Sequence, residues 1–396
     1  MLLIVLNNQI GQTMKLVNIT LQRVFLCAFN LFLVLFCAYS VANVENNDIK
    51  KVLNNYIQGT SFNYPDKISS AFYSDANLLL EKKGHAVWRV PAKDYINWFN
   101  KNNEGKFTGR VGEILNIEVS GAIATAKVEI ILPDKQQRFV DFFLLKKIAN
   151  NWKIISKTAA SEKSSSHGKR ILFIVSNAHF HGSSTLPVGA SFSEIVNAYH
   201  EFKMAGFTVD FVSPEGGSIP LSYINTSDKL QKNYLYNTDF MYALANTKTP
   251  DEITASKYKA VHYIGGSSAM YGVADNIAIQ DIVMEIYENH NGIVSSVCHG
   301  TAGIAFLKLS TGEYLVSGKR ISGYPDEYEN PTKEYFKQFP FAITETIEKH
   351  GGDFNYAPRN TPYIEADGRV ITGQNYLSSA LVAKKIIELI EHKSTQ

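Results

Sequence analysis

Cys298 lies where an apolar run of strand character, Gly292 to Val297, ends at a Cys-His pair. From Gly300 the chain continues with small residues typical of a closely packed helix. A strand-to-helix turn lifts a sulfur above the sheet, brings backbone N–H groups near it and directs the positive end of a helix towards it. The pattern predicts a nucleophilic cysteine with a lowered thiol pKa. The alternative is a buried cysteine that only fills the core.

Two further positions could support a nucleophile. Gly265 and Gly266 follow an apolar strand pattern, and their N–H groups would reach the same crevice if the two strands are neighbours. The N–H groups of Gly266 and His299 would then form an oxyanion site. The simpler explanation of the glycine pair is a plain turn between a strand and a helix. Glu194 falls in the first turn of a predicted helix, where an acid is more often a solvated partner of the helix dipole.

The remaining histidines do not form a metal-binding pattern. His179, His181 and His200, which precedes Glu201, lack the spacing of an HExxH or CxxC site. We therefore expect no metal ion and no other cofactor.

The N-terminal segment has the pattern of a secretory signal. Lys15 and Arg23 precede an apolar stretch that ends in small residues at Ala42, so residues 1–42 are predicted to be cleaved, leaving a periplasmic or secreted protein. Met14 is an alternative start. An uncleaved membrane anchor is the competing interpretation, and a lipoprotein is disfavoured because the bulky Phe36 precedes Cys37.

Removal of this leader changes both the cysteine count and the charge. Cys27 and Cys37 would leave with it, so that Cys298 would be the only thiol and could form no internal disulfide. The formal charge of +2 would fall to zero, because the leader carries two basic and no acidic residues. Neutrality without a basic face argues against a nucleic-acid partner.

Residues 43–158 have the pattern of an α+β domain. Helical spacing of apolar residues appears first, around Tyr56 and Tyr95, and strand patterns separated by short turns follow. Those strands are expected near residues 114–119, 122–132, 139–145 and 152–155. The serine-rich stretch 159–168 is predicted to be a linker.

Residues 169–396 alternate between strand and helix patterns. Strands are expected at 171–175, 208–212, 260–264, 293–297, 320–322 and 369–372, and helices at 192–205, 278–288 and 377–392. Such alternation predicts a doubly wound, mostly parallel sheet covered by helices on both faces, with a site at the carboxyl ends of the strands. The fold class is therefore α/β, preceded by a smaller α+β domain.

The first domain resembles the cone of nuclear-transport-factor-2-like proteins, in particular the SnoaL-like and lumazine-binding branch. The resemblance rests on Tyr56-Ile57-Gln58-Gly59, Ala71-Phe72-Tyr73, Asp94-Tyr95-Ile96 and Trp152-Lys153-Ile154-Ile155. It implies a curved sheet with a pocket, in a fold that serves enzymes, binding proteins and dimerisation modules alike.

The second domain resembles the ThiJ/PfpI superfamily, which shares the flavodoxin-like, class I glutamine-amidotransferase-like fold, and most closely its glyoxalase III-like and chaperone-like branch. Its matching segments are Ser193-Glu194, 205–217, 258–261, Gly265-Gly266, 297–300, 318–324, 356–358 and 367–375.

The resemblance implies roles for particular residues. Cys298 would be the nucleophile, His299 its partner, and Glu194 the acid that bonds the sulfur or moves a proton. Gly266 and the His299 N–H would form the oxyanion hole. A third acid would orient the histidine, and its position falls on Glu329, with Asp326 and Glu327 as nearby alternatives.

The resemblance implies a cofactor-independent cysteine enzyme that converts a methylglyoxal-type 2-oxoaldehyde into a hydroxy acid. The same groups could hydrolyse an amide or repair early glycation adducts. Competing hypotheses are a holdase chaperone, a ligand-binding module and a thiol redox sensor. The expected binding partner is a small carbonyl or amide substrate. We expect no stable membrane span after cleavage of the leader. Homodimers are expected because members of both families often pair.

Overall fold

The structure is a computed structural model that describes residues 45–99 and 101–392. The predicted signal segment, residues 1–42, lies outside the described residues. Within the described ranges, no helix combines the length and the apolar character needed to cross a membrane.

The chain divides into two compact units whose boundary is not a single cut in the sequence. The second unit contains residues from Ala159 onward together with Gly109–Asn116 and Lys127–Asp141, and the first contains the rest.

The N-terminal region has the α+β composition that its sequence predicts. Three helices and a six-stranded sheet of order β2-β1-β6-β5-β4-β3 are present, and β1 pairs parallel with β6. The helices are α1 (45–61), α2 (Pro65–Ala71) and α3 (Ala92–Ile96). The strands are β1 (Phe72–Lys82), β2 (His85–Pro91), β3 (Val111–Ser120), β4 (Ile123–Leu132), β5 (Gln137–Ile148) and β6 (Asn151–Lys163).

Two parts of this region differ from the expectation. The hairpin β1-β2 was not predicted. Its exposed positions carry both polar and apolar residues, so the alternation of apolar and polar residues that is typical of a strand is not visible in the sequence. The stretch predicted as a linker begins as strand, since β6 continues to Lys163 and only residues 164–169 lack helix or strand. A serine-rich composition did not prevent pairing there, because the backbone hydrogen bonds of a strand do not depend on the side chain.

The first unit is stabilised by an aromatic core centred on Tyr56. Its ring packs edge-on against Phe72 and Phe143 and stacks on Tyr95, with ring centroids 5.0–6.4 Å apart. The hydroxyl groups of Tyr56 and Tyr95 are 3.2 Å apart, so the buried phenols satisfy each other.

A six-stranded sheet of order β15-β16-β12-β11-β7-β9 forms the centre of the C-terminal region. All neighbours pair in parallel except β15, which is antiparallel to β16. Its strands are β7 (Arg170–Ile174), β9 (Thr208–Val212), β11 (Tyr258–Tyr263), β12 (Ile293–Val297), β15 (Ile364–Asp367) and β16 (Val370–Gly373). Short strands at the rim are β8 (Ala190–Ser191), β10 (Leu221–Ser222), β13 (Arg320–Ile321) and β14 (Asp353–Phe354).

Helices cover both faces of this sheet. Leu172 and Ile174 of β7 pack in one core cluster with residues of α7 and α9, whereas Ile171 and Phe173 pack in the other with residues of α4 and α10. Because neighbouring residues of a strand point to opposite faces, this division confirms the doubly wound α/β class. The helices are α4 (Phe192–Met204), α5 (Lys229–Leu235), α6 (Thr238–Ala245), α7 (Ile277–Met284), α8 (Glu334–Lys337), α9 (Ile343–Lys349) and α10 (Ser379–His392).

Candidate active site

Cys298 follows β12 directly and has a left-handed backbone conformation, with φ of +56°. This conformation costs a non-glycine residue about 1–3 kcal/mol, and such strain is concentrated at functional sites. The segment Cys298–Ile304 is a seven-residue 3₁₀ helix, which corrects the expectation of a helix long enough to direct a dipole at the sulfur. The sharp turn nevertheless raises the sulfur above the carboxyl end of the sheet.

Glycines allow this turn to approach β11. A Cβ on Gly300 would lie 2.4 Å from the Tyr263 carbonyl oxygen, and one on Gly303 would lie 2.2 Å from the Tyr263 ring. Neither contact is possible for a real side chain, so both positions require glycine for the turn to pack as it does.

His299 connects the sulfur to a carboxylate. Its Nδ1 is 3.4 Å from the Cys298 Sγ, and its Nε2 is 2.7 Å from Glu329 Oε1. With the proton on Nε2 donated to Glu329, Nδ1 is free to accept the thiol proton. Tyr335 donates to the other oxygen of Glu329 at 2.8 Å. These hydrogen bonds outweigh burial and lower the pKa of Glu329, so that the carboxylate stays charged beside the imidazole.

The two alternatives to Glu329 have other contacts. Asp326 accepts from the N–H groups of Ile343 and Glu345 at 2.8 Å and 3.1 Å, and thereby caps α9. The exposed Glu327 bonds the hydroxyl of Tyr356. Only Glu329 of the three lies against His299, although its catalytic role remains a prediction.

Glu194 is fully buried at the first turn of α4. Its Oε2 has no hydrogen-bond partner within the described ranges. Burial raises the pKa of Glu194 to about 8. Hydrogen bonds with Cys298, the Gly265 N–H and Ser191 lower this pKa, but their combined effect is smaller. An acid in this position is protonated at neutral pH and is not the solvated dipole partner that the sequence pattern would favour.

The oxyanion donors predicted from the glycine pair lie at the sulfur. Strands β11 and β12 are parallel neighbours, which was the condition for that prediction. Gly266 has φ of +90°, a conformation that L-residues rarely adopt. The backbone N–H groups of Gly266 and His299 both stabilise the thiolate of Cys298.

The pKa of the Cys298 thiol is raised, whereas the sequence pattern predicted a lowered pKa. Burial, followed by the charge of Glu194, raises the pKa of Cys298 well above its ordinary value, although the N–H groups of His299 and Gly266 act in the opposite direction. Burial outweighs the donors because the charged form loses its water. The thiolate must therefore form by proton transfer within the site.

Several aromatic residues complete the wall around His299, and the sequence did not reveal them. The Tyr324 ring stacks on the imidazole at 4.7 Å, and Phe339 contacts it edge-on at 5.6 Å. His181 is next to them, with its Nδ1 3.2 Å from the Tyr271 hydroxyl. These residues are 26 to 117 positions from Cys298, so no local spacing could link them to it. The described residues hold no group of His, Cys, Asp or Glu that could bind a metal ion.

A groove of about 560 Å³ opens beside this wall. It is lined by residues 176–180 at the end of β7 and by Tyr271, whereas Cys298 is not part of its lining. The groove meets the wall around His299 at Tyr271, whose hydroxyl is bonded to His181.

A mostly parallel sheet of this order, with a cysteine in a sharp turn after one of its inner strands, places the second unit among the flavodoxin-like α/β proteins. Residues 186–389 match the model of the DJ-1/PfpI family. The chain belongs to this family. Residues 44–159 match the family described as "Putative lumazine-binding", so a domain of that kind precedes the family domain.

Several similar proteins are named glyoxalases. The chain is 32% identical over 213 residues to the glutathione-independent glyoxalase HSP31 of Saccharomyces cerevisiae, with 50% of this chain and 88% of that protein covered. It is 27% identical over 211 residues to glyoxalase 3 of Candida albicans, with the same coverage of both chains. The crystal structure of glyoxalase III from Candida albicans superposes with a TM-score of 0.51 at 24% identity, over 56% of this chain and 98% of that one, which supports the shared fold.

Proposed function

We propose that this protein is a glyoxalase that acts without glutathione or another cofactor and converts small 2-oxoaldehydes such as methylglyoxal into 2-hydroxy acids. The observation that carries the proposal is the contact chain from Cys298 through His299 to Glu329, next to a buried acid, Glu194, whose pKa is near 8. The names of the relatives support the same substrate class.

In the first step the Cys298 thiol gives its proton to His299 Nδ1, and the sulfur forms a bond to the aldehyde carbon. The aldehyde C=O π bond breaks, and its electron pair becomes an alkoxide beside the N–H groups of Gly266 and His299. Glu194 then donates its proton to that oxygen, which yields a neutral hemithioacetal and a Glu194 carboxylate.

The second step is an internal redox reaction. Glu194 removes the proton from the former aldehyde carbon, while the imidazolium of His299 protonates the neighbouring ketone oxygen. The resulting enediol accepts the proton from Glu194 on its second carbon and returns the proton of the first oxygen to Glu194. The first carbon is oxidised to a thioester and the second is reduced to an alcohol, so no external oxidant or reductant is required.

Water completes the cycle. His299 removes a proton from water, the hydroxide adds to the thioester carbon, and the C–S bond breaks with its electron pair on sulfur. His299 then returns its proton to Cys298, and the hydroxy acid gives its carboxyl proton to bulk water and leaves as a carboxylate. Glu329 stabilises the imidazolium throughout these transfers.

The test is turnover of methylglyoxal to lactate without glutathione, in the wild type and in Cys298→Ala. We expect loss of all turnover in the variant. The control is Met204→Leu, a conservative change at a position that is 70% exposed, which should leave the rate unchanged. An inactive wild type would contradict the proposal.

Three further assays separate the alternatives. Turnover of amide or early glycation substrates but not of free dicarbonyls would indicate a hydrolase. Retained function of Cys298→Ala in suppressing client aggregation would indicate a holdase, and selective peroxide oxidation of Cys298 in a protein without turnover would indicate a redox sensor.

We also propose that the protein is exported and that its N-terminal segment is removed after Ala42. The charge and apolar pattern of residues 1–42 supports this. Sequencing the N terminus of the protein recovered from a cell fraction outside the inner membrane tests it, and a mature chain that retains Met1 or Met14 contradicts it.

A further inference from the structure

The loop after β14 is fixed at two points by buried side chains. Gln374, at the end of β16, accepts from the Ala357 N–H at 2.7 Å and donates to the Ala357 carbonyl at 3.0 Å. Asn375 donates to the Thr361 carbonyl at 2.8 Å. Both amides are at most 6% exposed, so their positions are set by the sheet. The residues between these points are therefore held in place.

Arg359 lies between the two fixed points. Its Nη2 donates to the Tyr324 hydroxyl at 2.8 Å, and its guanidinium lies 5.6 Å from the centre of the Tyr328 ring. Tyr328 is itself bonded to the Ala357 carbonyl at 2.8 Å. The cation is exposed, yet two tyrosines and an anchored loop orient it.

Tyr324 connects this cation to His299 and to the turn that carries Cys298. Its ring stacks on His299, and its N–H donates to the Cys298 carbonyl at 3.2 Å. The positive charge of Arg359 also favours the charged form of Glu329. The guanidinium is therefore one aromatic ring away from His299.

The charge of Arg359 has no carboxylate partner within 4.0 Å in the described part of the chain. Glu329 does not serve as one, because its two oxygens are bonded to His299 and Tyr335. Of the five N–H donors, one is bonded to Tyr324. An oriented guanidinium with free donors is suited to a planar anion such as a carboxylate.

We propose that Arg359 is an anion-binding residue of this site, which holds the carboxylate of a small aldehyde while its carbonyl carbon is bonded to Cys298. The substrate class thereby extends beyond neutral 2-oxoaldehydes to small aldehydes that carry a carboxylate. This inference rests on the proposed function, because it assumes that Cys298 adds to aldehydes.

Glyoxylate is the probe, since it joins an aldehyde to a carboxylate. Addition forms one S–C bond, breaks the C=O π bond and moves the thiol proton to the former aldehyde oxygen. The reaction stops there, because the neighbouring carbon is a carboxylate and cannot form the enediol of the proposed second step. The adduct is reversible and blocks alkylation of Cys298 by iodoacetamide. Glycolaldehyde is the neutral counterpart of the same size. Mass spectrometry of the peptide that contains Cys298 measures protection in the full chain without interference from Cys27 and Cys37.

For Arg359→Gln we expect the glyoxylate concentration that halves the alkylation rate to rise at least about tenfold, as for the loss of one charged hydrogen bond. Glycolaldehyde protection should change less than about twofold. Arg359→Lys should be intermediate, because the charge remains without the planar pair of donors. Arg320→Gln, which removes an exposed arginine bonded to Glu365, should resemble the wild type.

Two results would overturn the proposal: unchanged glyoxylate protection in Arg359→Gln, or an equal loss for both aldehydes, which would assign Arg359 a structural role through Tyr324. Neither result depends on turnover. Protection by neither aldehyde in the wild type would instead contradict the proposed chemistry of Cys298.

Discussion

Glu194 Oε2 lies so close to Gly265 that a Cβ on the glycine would be 2.4 Å from it. The same Cβ would be 2.8 Å from the Cβ of Cys298. The acid and the nucleophile are therefore brought together across a position that has no room for a side chain.

Gly265→Ala tests this relationship. The added methyl group must displace Glu194, Cys298 or the Val297 carbonyl oxygen that precedes the cysteine. Each of these shifts would move a reacting group, and misplacement by about 1 Å can reduce a rate about 10²-fold. We expect kcat/KM for methylglyoxal to fall by that order. Circular dichroism should show a folded protein, so that the loss is assigned to the site. A folded variant with wild-type activity would contradict the contact.

The pH profile should report Glu194. Burial raises the pKa of its carboxyl to about 8, so the acid carries its proton at neutral pH and loses it as the pH rises through that value. The ionised carboxylate cannot donate to the alkoxide, and its charge also disfavours the Cys298 thiolate. We expect kcat/KM to decline above about pH 8, measured from pH 6 to 10 at constant ionic strength. A rate that rises continuously through this range would argue that thiol ionisation alone is limiting.

Tyr335→Phe removes one of the donors that keep Glu329 charged. The pKa of Glu329 should then rise, and the His299 imidazolium should lose part of its stabilisation. We expect a loss of about tenfold in kcat, the order of one charged hydrogen bond, and a shift of the acid limb of the pH profile to higher pH. Tyr236→Phe, at a tyrosine that is 74% exposed, serves as the control. A lower kcat with an unshifted profile would indicate a merely structural effect.

A buried charge cluster at the amino ends of the strands should control stability. Asp210 accepts from Lys248 at 2.5 Å, from Arg170 at 2.7 Å and from Tyr258 at 2.9 Å. Although burial opposes it, the two cations hold the pKa of Asp210 well below its usual range. Asp210→Asn leaves Arg170 and the partly exposed Lys248 with one carboxylate fewer. We therefore expect a loss of about 3 kcal/mol in the free energy of unfolding, the lower end of the range for a broken buried ion pair.

Denaturant unfolding at pH 7 measures this loss. Because the folded pKa of Asp210 is lowered, its contribution is complete above the unfolded pKa of about 3.9 and disappears as the pH falls through the folded value. The difference between wild type and variant should therefore shrink below about pH 4. A difference that stays constant down to pH 2 would show that the charge is not the cause.

The sequence predicted those features that depend on neighbouring residues. Strands β9 and β12 begin and end at the expected residues, because each is a fully buried run between turns. The contact of Glu329 with His299 followed from the family resemblance. Tyr335 and Arg359 could not be found in this way, since periodicity reports which residues face the core but not which distant polar atoms meet.

One expectation at the site was wrong, and one competing interpretation is excluded, for a common physical reason. The direction of the Cys298 pKa shift and the alternative of a solvated Glu194 both depend on burial. Burial is set by the whole sheet and its covering helices, and the short turn after β12 does not determine it. Local rules for helix ends therefore gave the wrong sign for the thiol.

Cys298 is 8% exposed, and this has a consequence for selectivity among electrophiles. Because so little of this side chain reaches the surface, we expect its burial to act as a size filter that operates before any chemistry. Such a filter should favour three-carbon carbonyl compounds over open-chain sugars and bulky thiol dyes, although their reactive groups are of the same kind.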